Sequence, residues 1–285
     1  MTSNLISRLL RHPLRSWGPG FLPALLVALA SLGAPTADAR DFASMKPTAR
    51  VEYWQQRQAT IAAQVADAAS LRDVKLVFVG DSITDFWLLD DDPWIPGRIH
   101  GRRVWDESFG GVVKENRALN IAISGDRTEH LLYRILPKSQ GGLGQLDAPA
   151  LTPEFLVLMV GINNSYAPES PVADSVFEGV RAVMRSLHAR KPGARLLLQS
   201  LLPTSEPSRD DTVVKPVNAR LAALASSPEF AGFTTWLDLY PSFVDAQGRQ
   251  DGKLFLDGLH PSEAGYRVWR DRLVPSLAAA RKTVR

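Results

Sequence analysis

The sequence predicts an α/β fold: a three-layer α/β/α sandwich in which a mainly parallel five-stranded sheet lies between two layers of helices. Five short apolar runs alternate with longer segments of helical periodicity, and such alternation forms parallel sheets covered on both faces. The 285 residues are 45% hydrophobic and 22% charged, which is typical of a globular chain and excludes disordered, collagen-like and coiled-coil proteins. No internal repeat or low-complexity block divides the sequence, so a single domain is expected.

Each predicted strand is a short run rich in aliphatic and β-branched residues, the pattern of a strand buried on both faces. In chain order the predicted strands are Lys75–Val79, Ala118–Ile123, Phe155–Val160, Arg195–Leu201 and Thr234–Leu239. The helices are predicted from apolar residues that recur every three or four positions. They are Glu52–Ala69, Thr128–Leu136, Pro171–Arg190, Val213–Ala225 and Pro261–Ala279.

The third helix has the clearest predicted boundaries. Ser170 is a suitable N-cap, and Pro171 fits the first helical position. A stripe of aliphatic residues follows, and Lys191-Pro192-Gly193 ends the periodic pattern.

Charge and cysteine content exclude several functional classes. The formal net charge is +3, and three arginines with one aspartate in the first 39 residues account for most of it. The remainder of the chain therefore has no basic surplus, and nucleic acid is not an expected partner. The absence of cysteine excludes disulfide frameworks, thiolate zinc sites and thiol nucleophiles.

Residues 1–39 have the pattern of a secretory signal peptide. A segment with three arginines precedes the apolar run Phe21–Gly33, and Ala37-Asp38-Ala39 is a small-x-small cleavage pattern. The apolar run is shorter than the roughly 20 residues that a membrane span needs, so no stable span is expected after cleavage. We expect a secreted or periplasmic protein comprising residues 40–285. The alternative is attachment to the membrane by an uncleaved signal.

The first informative loop follows the first predicted strand, since ligands bind at the carboxyl ends of the strands in open α/β sheets. Gly80-Asp81-Ser82 makes a tight turn into a helix, where unpaired N–H groups favour developing negative charge. Ser82 is therefore a candidate nucleophile. The alternative is that Asp81 or Ser82 only caps the helix.

Two further loops carry candidate oxyanion donors. Gly125 follows the second strand, and a glycine lets its backbone N–H approach a ligand oxygen; a plain turn with Asp126 as N-cap is the alternative. Asn163 and Asn164 follow the third strand, and an asparagine amide donates without bringing charge. A local Asx turn is the alternative for this pair.

Near the C-terminus, His260 is a candidate general base. Asp257 lies three residues before it, close enough to accept the hydrogen of the imidazole Nδ1 and leave Nε2 available. Of the other histidines, His100 is expected in a polar loop without a carboxylate partner at the active edge. A nucleophile, oxyanion donors and an Asp–His base together suit acyl transfer.

These four blocks resemble those of the SGNH, or GDSL, hydrolases. The resemblance runs from about Lys75 to Tyr266 and is nearest to the catalytic subunits of platelet-activating-factor acetylhydrolase and their bacterial relatives, on the segments VFVGDSI, NIAISGD, VGINN and DGLHPS. It implies a flavodoxin-like SGNH hydrolase fold. It also implies Ser82 as nucleophile, His260 as base and Asp257 as its orienting partner. The Ser82 N–H, the Gly125 N–H and the Asn163 amide would form the oxyanion hole.

The expected reaction is ester hydrolysis through an acyl-enzyme, with no metal or other cofactor. The substrate is expected to be a small-molecule or glycan ester with a short acyl group, such as an O-acetylated carbohydrate. A lysophospholipase or a broad-specificity lipase or thioesterase is an alternative. A non-catalytic glycan-binding protein on the same fold is an alternative of another class. The oligomeric state is not predicted.

Three residues are candidate substrate contacts: Asp81, Asn164 and Trp87. Trp87 belongs to an aromatic group after the serine, which comprises Phe86, Trp87, Trp94, Trp105 and Phe109. These residues form either an apolar or sugar-stacking wall beside Ser82, or a layer that packs this loop against the sheet.

Overall fold

A five-stranded parallel sheet forms the centre of the molecule, which we describe from a computed structural model over residues 41–50, 54–92 and 95–282. The strand order is β2-β1-β3-β4-β5, and every pairing is parallel. The strands are β1 (Leu76–Gly80), β2 (Ala118–Asn120), β3 (Phe155–Met159), β4 (Arg195–Gln199) and β5 (Thr234–Leu237). The predicted fold class is confirmed, and this strand order is that of the flavodoxin-like sheets.

The sheet is buried on both faces at its centre. Every residue of β1 and β3 is buried, and the two strands pair in register from Leu76 opposite Phe155 to Gly80 opposite Met159. Such double burial explains why these strands read as continuous apolar runs rather than as alternating patterns. Because all strands run in one direction, their carboxyl ends lie at one edge of the sheet.

Helices cover both faces. The α-helices are α1 (Gln55–Ala66), α2 (Ala68–Leu71), α3 (Ser82–Asp85), α4 (Arg102–Ser108), α5 (Thr128–Ile135), α6 (Val172–Arg190), α7 (Pro207–Arg209), α8 (Lys215–Ala225) and α9 (Glu263–Lys282). A π-helical turn, Asp210–Val214, joins α7 to α8. Short 3₁₀ helices are Ala43–Met45, Phe86–Leu88, Lys114–Asn116, Lys138–Gln140, Ile162–Tyr166, Tyr240–Phe243 and Gly252–Leu254. Helix α6 packs against α5 and α8 in one layer, and α9 packs against α4 in the other.

Most helix boundaries differ from the prediction by one to three residues, and α9 begins at Glu263 rather than at Pro261. The first and third predicted helices differ in a more informative way. The predicted helix Glu52–Ala69 is divided at Asp67, whose side chain accepts hydrogen bonds from the N–H groups of Ala69 and Ser70 and so caps a new helix. The part of that prediction at residues 51–53 lies outside the described residues. Helix α6 begins at Val172 with Pro171 as its N-cap, so Ser170 does not cap it.

Strand β2 ends at Asn120 and is shorter than predicted, because the Asn120 side chain makes hydrogen bonds to backbone groups at this point. Its Oδ1 accepts from the Ala122 N–H, and its Nδ2 donates to the Thr84 carbonyl. The chain nevertheless continues along β1, where the Ile123 N–H donates to the Gly80 carbonyl. The segment that follows Ile123 therefore begins beside the turn that carries Ser82.

The predicted signal peptide, residues 1–39, lies outside the described residues. Within the part of the chain that the structure describes, no helix is both long and apolar enough to cross a membrane.

Candidate active site

Ser82 is the first residue of α3, just after the carboxyl end of β1, which lies between β2 and β3 in the sheet. Gly80 is required at this turn, because a Cβ atom on it would lie 2.3 Å from the Met159 carbonyl oxygen and 2.4 Å from Thr84 Oγ1. The Asp81 carboxylate caps α3 by accepting the Ile83 N–H at 3.1 Å. Ser82 is thus fixed on a tight strand-to-helix turn, with 4% of its surface exposed.

A chain of two hydrogen bonds connects Asp257, His260 and Ser82. Asp257 Oδ2 lies 2.7 Å from His260 Nδ1, and His260 Nε2 lies 2.9 Å from Ser82 Oγ. A carboxylate only accepts hydrogen bonds, so Nδ1 carries the hydrogen and Nε2 presents its lone pair to the serine hydroxyl. This is the geometry in which an imidazole can activate an alcohol as a general base.

The loop Asp257–His260 holds its carboxylate in place. Asp257 Oδ1 accepts the backbone N–H groups of Leu259 at 3.0 Å and His260 at 2.8 Å. Partial burial alone would raise the pKa of Asp257, but the hydrogen bonds from the His260 ring and from these N–H groups lower that pKa well below its usual range. The hydrogen bonds therefore favour the ionised form of Asp257.

Gly125 and Asn163 lie in adjacent loops at the same edge of the sheet. Gly125 is exposed and has a φ of +77°, a conformation that favours glycine. Asn163 Nδ2 donates to the Asp126 carbonyl at 2.8 Å, which orients the side-chain amide. An amide nitrogen has two hydrogens, so the second one remains available to a ligand oxygen.

Asp126 stabilises the Gly125 loop through buried contacts and is not the N-cap of α5, which is Arg127. Its carboxylate is fully buried and lies 2.7 Å from the guanidinium of Arg134, which is also fully buried. Trp54 Nε1 and Arg50 Nη1 each donate to Asp126 Oδ1 at 3.1 Å. The alternative of a plain turn capped by Asp126 is therefore wrong, since a buried ion pair fixes the turn.

Asn164 and Asp81 are not accessible to a substrate, because both residues are buried. Asn164 Oδ1 accepts the Thr128 N–H at 3.0 Å, and its Nδ2 donates to Glu129 at 2.8 Å, so Asn164 binds the start of α5. Asp81 is used as the cap of α3. Burial is the largest effect on its carboxyl group and raises its pKa to about 7, against the hydrogen bond from Ile83.

Trp87 is likewise not a substrate contact: none of its surface is exposed. Its ring packs against the rings of Phe78, Trp105, Phe109, Tyr266 and Trp269. The aromatic group after the serine thus packs its loop against the sheet, and the sugar-stacking wall is wrong for Trp87. Trp94 lies outside the described residues.

A second Asp–His pair, which is buried, lies near the first and was not predicted from the sequence. His100 is fully buried, its Nε2 lies 3.2 Å from Asp92 Oδ2, and its Nδ1 lies 3.3 Å from the Pro261 carbonyl. The Phe86 ring lies between the two imidazoles, 4.8 Å from His100 and 4.7 Å from His260. The polar residues around His100 predicted a solvated loop, and only the fold brings this histidine to Pro261.

Among the described residues, no three histidine, aspartate or glutamate side chains form a group that could hold a metal ion. The structure brings together Ser82, His260 and Asp257 in one hydrogen-bonded chain. It also brings the Gly125 loop and Asn163 together at the same edge.

Residues 78–268 match the GDSL-like Lipase/Acylhydrolase family model. The platelet-activating factor acetylhydrolase IB subunit alpha1 of Homo sapiens is 30% identical over 206 residues, which cover 71% of this chain and 74% of that protein. A GDSL-like lipase from Bacteroides thetaiotaomicron VPI-5482 superposes with a TM-score of 0.55 at 21% identity, covering 78% of this chain and 99% of its own. For a carbohydrate esterase family 3 protein from Talaromyces cellulolyticus the TM-score is 0.51 at 18% identity, with coverages of 74% and 100%.

The family match spans most of the described chain, and the acetylhydrolase relative agrees with it. The resemblance to the SGNH hydrolases is confirmed, and the non-catalytic alternative is set aside. The chain belongs to the GDSL-like lipase/acylhydrolase family and is a carboxylic ester hydrolase.

Proposed function

We propose that this protein hydrolyses short-chain esters, and specifically removes O-acetyl groups from a carbohydrate. Ser82 acts as nucleophile, His260 as general base, and Asp257 orients the imidazole. The observation that carries this proposal is the hydrogen-bonded chain from Asp257 to Ser82, with distances of 2.7 and 2.9 Å.

In the first half-reaction, Ser82 Oγ attacks the ester carbonyl carbon while His260 Nε2 takes the hydroxyl proton. The carbonyl oxygen becomes an oxyanion, and the N–H groups of Ser82 and Gly125 with the Asn163 amide donate hydrogen bonds to it. The imidazolium then gives its proton to the leaving alcohol as the carbon–oxygen bond breaks. Asp257 stabilises the imidazolium as a carboxylate throughout.

In the second half-reaction, the same imidazole removes a proton from water, which attacks the acyl-Ser82 carbonyl. The oxyanion again faces the three donors. Collapse returns the proton to Ser82 Oγ and releases the carboxylic acid. Each half-reaction uses the same groups, so a single variant at Ser82 or His260 stops both.

The choice of a short acyl group and of a sugar alcohol is supported by the comparisons with known proteins. The relative named as an acetylhydrolase supports an acetyl group, and the fold shared with a carbohydrate esterase is compatible with a sugar substrate.

We also propose that residues 1–39 direct export and that residues 40–285 are the mature, single-domain hydrolase. Export places the enzyme where it meets O-acetylated polysaccharides rather than cytosolic metabolites. The measurement is the intact mass of the full-length protein recovered from outside the cytoplasm of an expressing bacterium. A mass that still includes residues 1–39 would contradict cleavage.

The central experiment measures acetate release from acetylated oligosaccharides, with lysophospholipid and palmitoyl esters in parallel. We expect acetyl and butyryl esters to be hydrolysed much faster than palmitoyl esters, and acetylated sugars faster than lysophospholipids. Ser82→Ala is the matched inactive control. A preference for palmitoyl chains would overturn the short-chain proposal.

A further inference from the structure

The 3₁₀ helix Ile162–Tyr166 presents two residues toward the open edge of the sheet. In a 3₁₀ helix the side chains at positions i and i+3 eclipse each other, so Asn163 and Tyr166 share one face. The residues between them, Asn164 and Ser165, are buried, whereas Tyr166 is 49% exposed. Tyr166 therefore lies one helical turn from the oxyanion donor proposed above, with a large open surface.

One face of the Tyr166 ring is covered by a fixed guanidinium. Arg209 Cζ lies 3.7 Å from the ring centroid. Arg209 Nη1 donates to the Ser165 carbonyl at 2.9 Å and to Ser165 Oγ at 3.0 Å, and Nη2 lies 3.1 Å from Glu206 Oε2. Both terminal nitrogens of the Arg209 guanidinium are thus hydrogen-bonded, so the guanidinium is a fixed support for the Tyr166 ring that stacks on it.

The segment that carries Arg209 also contacts the loop of the proposed triad. The Ser205 N–H donates to the Gly258 carbonyl at 2.9 Å, and Gly258 directly follows Asp257. The same segment thus joins the oxyanion side of the site, through Ser165, to its acid–base side, through Gly258. The Tyr166 ring is attached to this segment through its contact with Arg209.

We propose that Tyr166 is the stacking surface for a sugar ring in the leaving alcohol, with Glu206 accepting hydrogen bonds from its hydroxyl groups. This inference rests on the proposed function and names the residues that select its carbohydrate substrate. A sugar ring has an apolar C–H face for the aromatic ring and hydroxyls for a half-exposed carboxylate. An acyl chain would require an aliphatic groove instead.

The charge of Arg209 argues against a quaternary ammonium ligand at the same place. An aromatic face attracts a cation, but here a guanidinium already occupies the opposite face. A second cation across the ring would be repelled by the first. The surface is therefore better suited to a neutral ring than to a choline group.

The test compares Tyr166→Ala with the native enzyme on three acetyl esters: acetylated xylobiose, ethyl acetate and acetylcholine. We expect the ratio of kcat/KM for acetylated xylobiose to that for ethyl acetate to fall about tenfold, mainly through KM. Tyr166→Trp keeps an aromatic face and should retain the ratio. Val112→Ala, which removes another exposed apolar side chain, is the matched control and should leave the ratio unchanged.

Direct binding provides a second readout. In the Ser82→Ala background, calorimetric titration with acetylated xylobiose should show a dissociation constant about tenfold higher once Tyr166→Ala is added. An unchanged ratio, an equal loss on all three esters, or a loss confined to acetylcholine would overturn the sugar subsite. Hydrolysis of ethyl acetate that survives Ser82→Ala would instead overturn the proposed mechanism, so the two failures are distinguishable.

Discussion

Ser82 Oγ lies 2.9 Å from His260 Nε2, across a sequence separation of 178 residues. The imidazole is held on its other nitrogen by Asp257 and lies against the Phe86 ring. With one nitrogen bound and one face covered, the ring has little freedom to turn. The fold itself therefore creates the Ser82–His260 contact.

The first prediction concerns Ser82→Ala and His260→Ala. Each should reduce kcat for p-nitrophenyl acetate by a factor on the order of 10³ or more, because both half-reactions use the two groups. The melting temperature should change little for Ser82→Ala, since only one hydroxyl oxygen is removed. Ser170→Ala, at an exposed serine, is the control and should keep native activity. Native rates from Ser82→Ala would exclude Ser82 as nucleophile.

The second prediction concerns the pH dependence of the reaction. Because the pKa of Asp257 is lowered, its carboxylate is retained as the pH falls, and the stability it contributes is lost progressively as the pH falls from its ordinary value of 3.8 toward the lowered pKa. The profile of log kcat/KM should therefore show no inflection from Asp257 at its ordinary pKa of 3.8. Steady-state kinetics from pH 3 upward measure this profile, and an inflection near 3.8 would contradict the prediction.

The third prediction contrasts two adjacent asparagines. Asn163→Ala removes a proposed oxyanion donor and should lower kcat by about 10²–10³ with little change in KM. Asn164→Ala removes the acceptor of the Thr128 N–H at the start of α5 and should instead lower the free energy of unfolding by about 1–2 kcal/mol. Activity assays and denaturant titrations of both variants provide the comparison. Similar losses of kcat in the two variants would contradict this division.

The fourth prediction concerns Asp81 and stability. Its pKa in the folded protein, about 7, lies above the ordinary value of 3.8, so its contribution to stability is present at low pH and is lost as pH rises through 7. Asp81→Asn keeps a capping oxygen but cannot ionise. Relative to the native protein, its melting temperature should rise between pH 5 and pH 9, by an amount corresponding to at most about 3 kcal/mol, from the two pH units below 7. Parallel curves for the two proteins would show that Asp81 does not titrate in this range.

The sheet and the residues of the proposed triad could be predicted because their signals are local. Doubly buried strands are continuous apolar runs, and β1 and β3 fit this pattern from end to end. The rule that parallel strands end at one edge then selected the turn at Ser82 and the loop at Asn163. Asp257 and His260 are only three positions apart, so their pairing was also visible in the sequence.

The structural roles of Trp87, Asn164 and His100 could not be predicted, because their side chains contact residues that are distant in the sequence. Asn164 binds the start of a helix 36 positions away, and His100 reaches Pro261 over 161 positions. A polar side chain that follows a strand can hydrogen-bond either a ligand or a backbone group distant in the sequence, and the sequence does not distinguish the two. Only the packed chain shows which of the two it contacts.

The last prediction assigns His100 a positioning role for the loop that carries His260. His100 Nδ1 lies 3.3 Å from the Pro261 carbonyl, next in the chain to His260, and the Phe86 ring lies between the two imidazoles. His100→Phe keeps an aromatic ring but removes both polar contacts. It should lower kcat about tenfold by loosening the imidazole. It should also lower the melting temperature by about 5–10 °C, because the buried Asp92 carboxylate loses its imidazole partner.

The double variant Asp92→Asn with His100→Phe separates these two effects. Replacing the charge should restore most of the melting temperature, since a neutral amide is less costly to bury than a carboxylate. The loss of kcat should persist, because the contact with the Pro261 carbonyl is still absent. Thermal melts and steady-state kinetics on ethyl acetate measure both quantities. If kcat recovers together with the melting temperature, His100 only stabilises the fold and does not position His260.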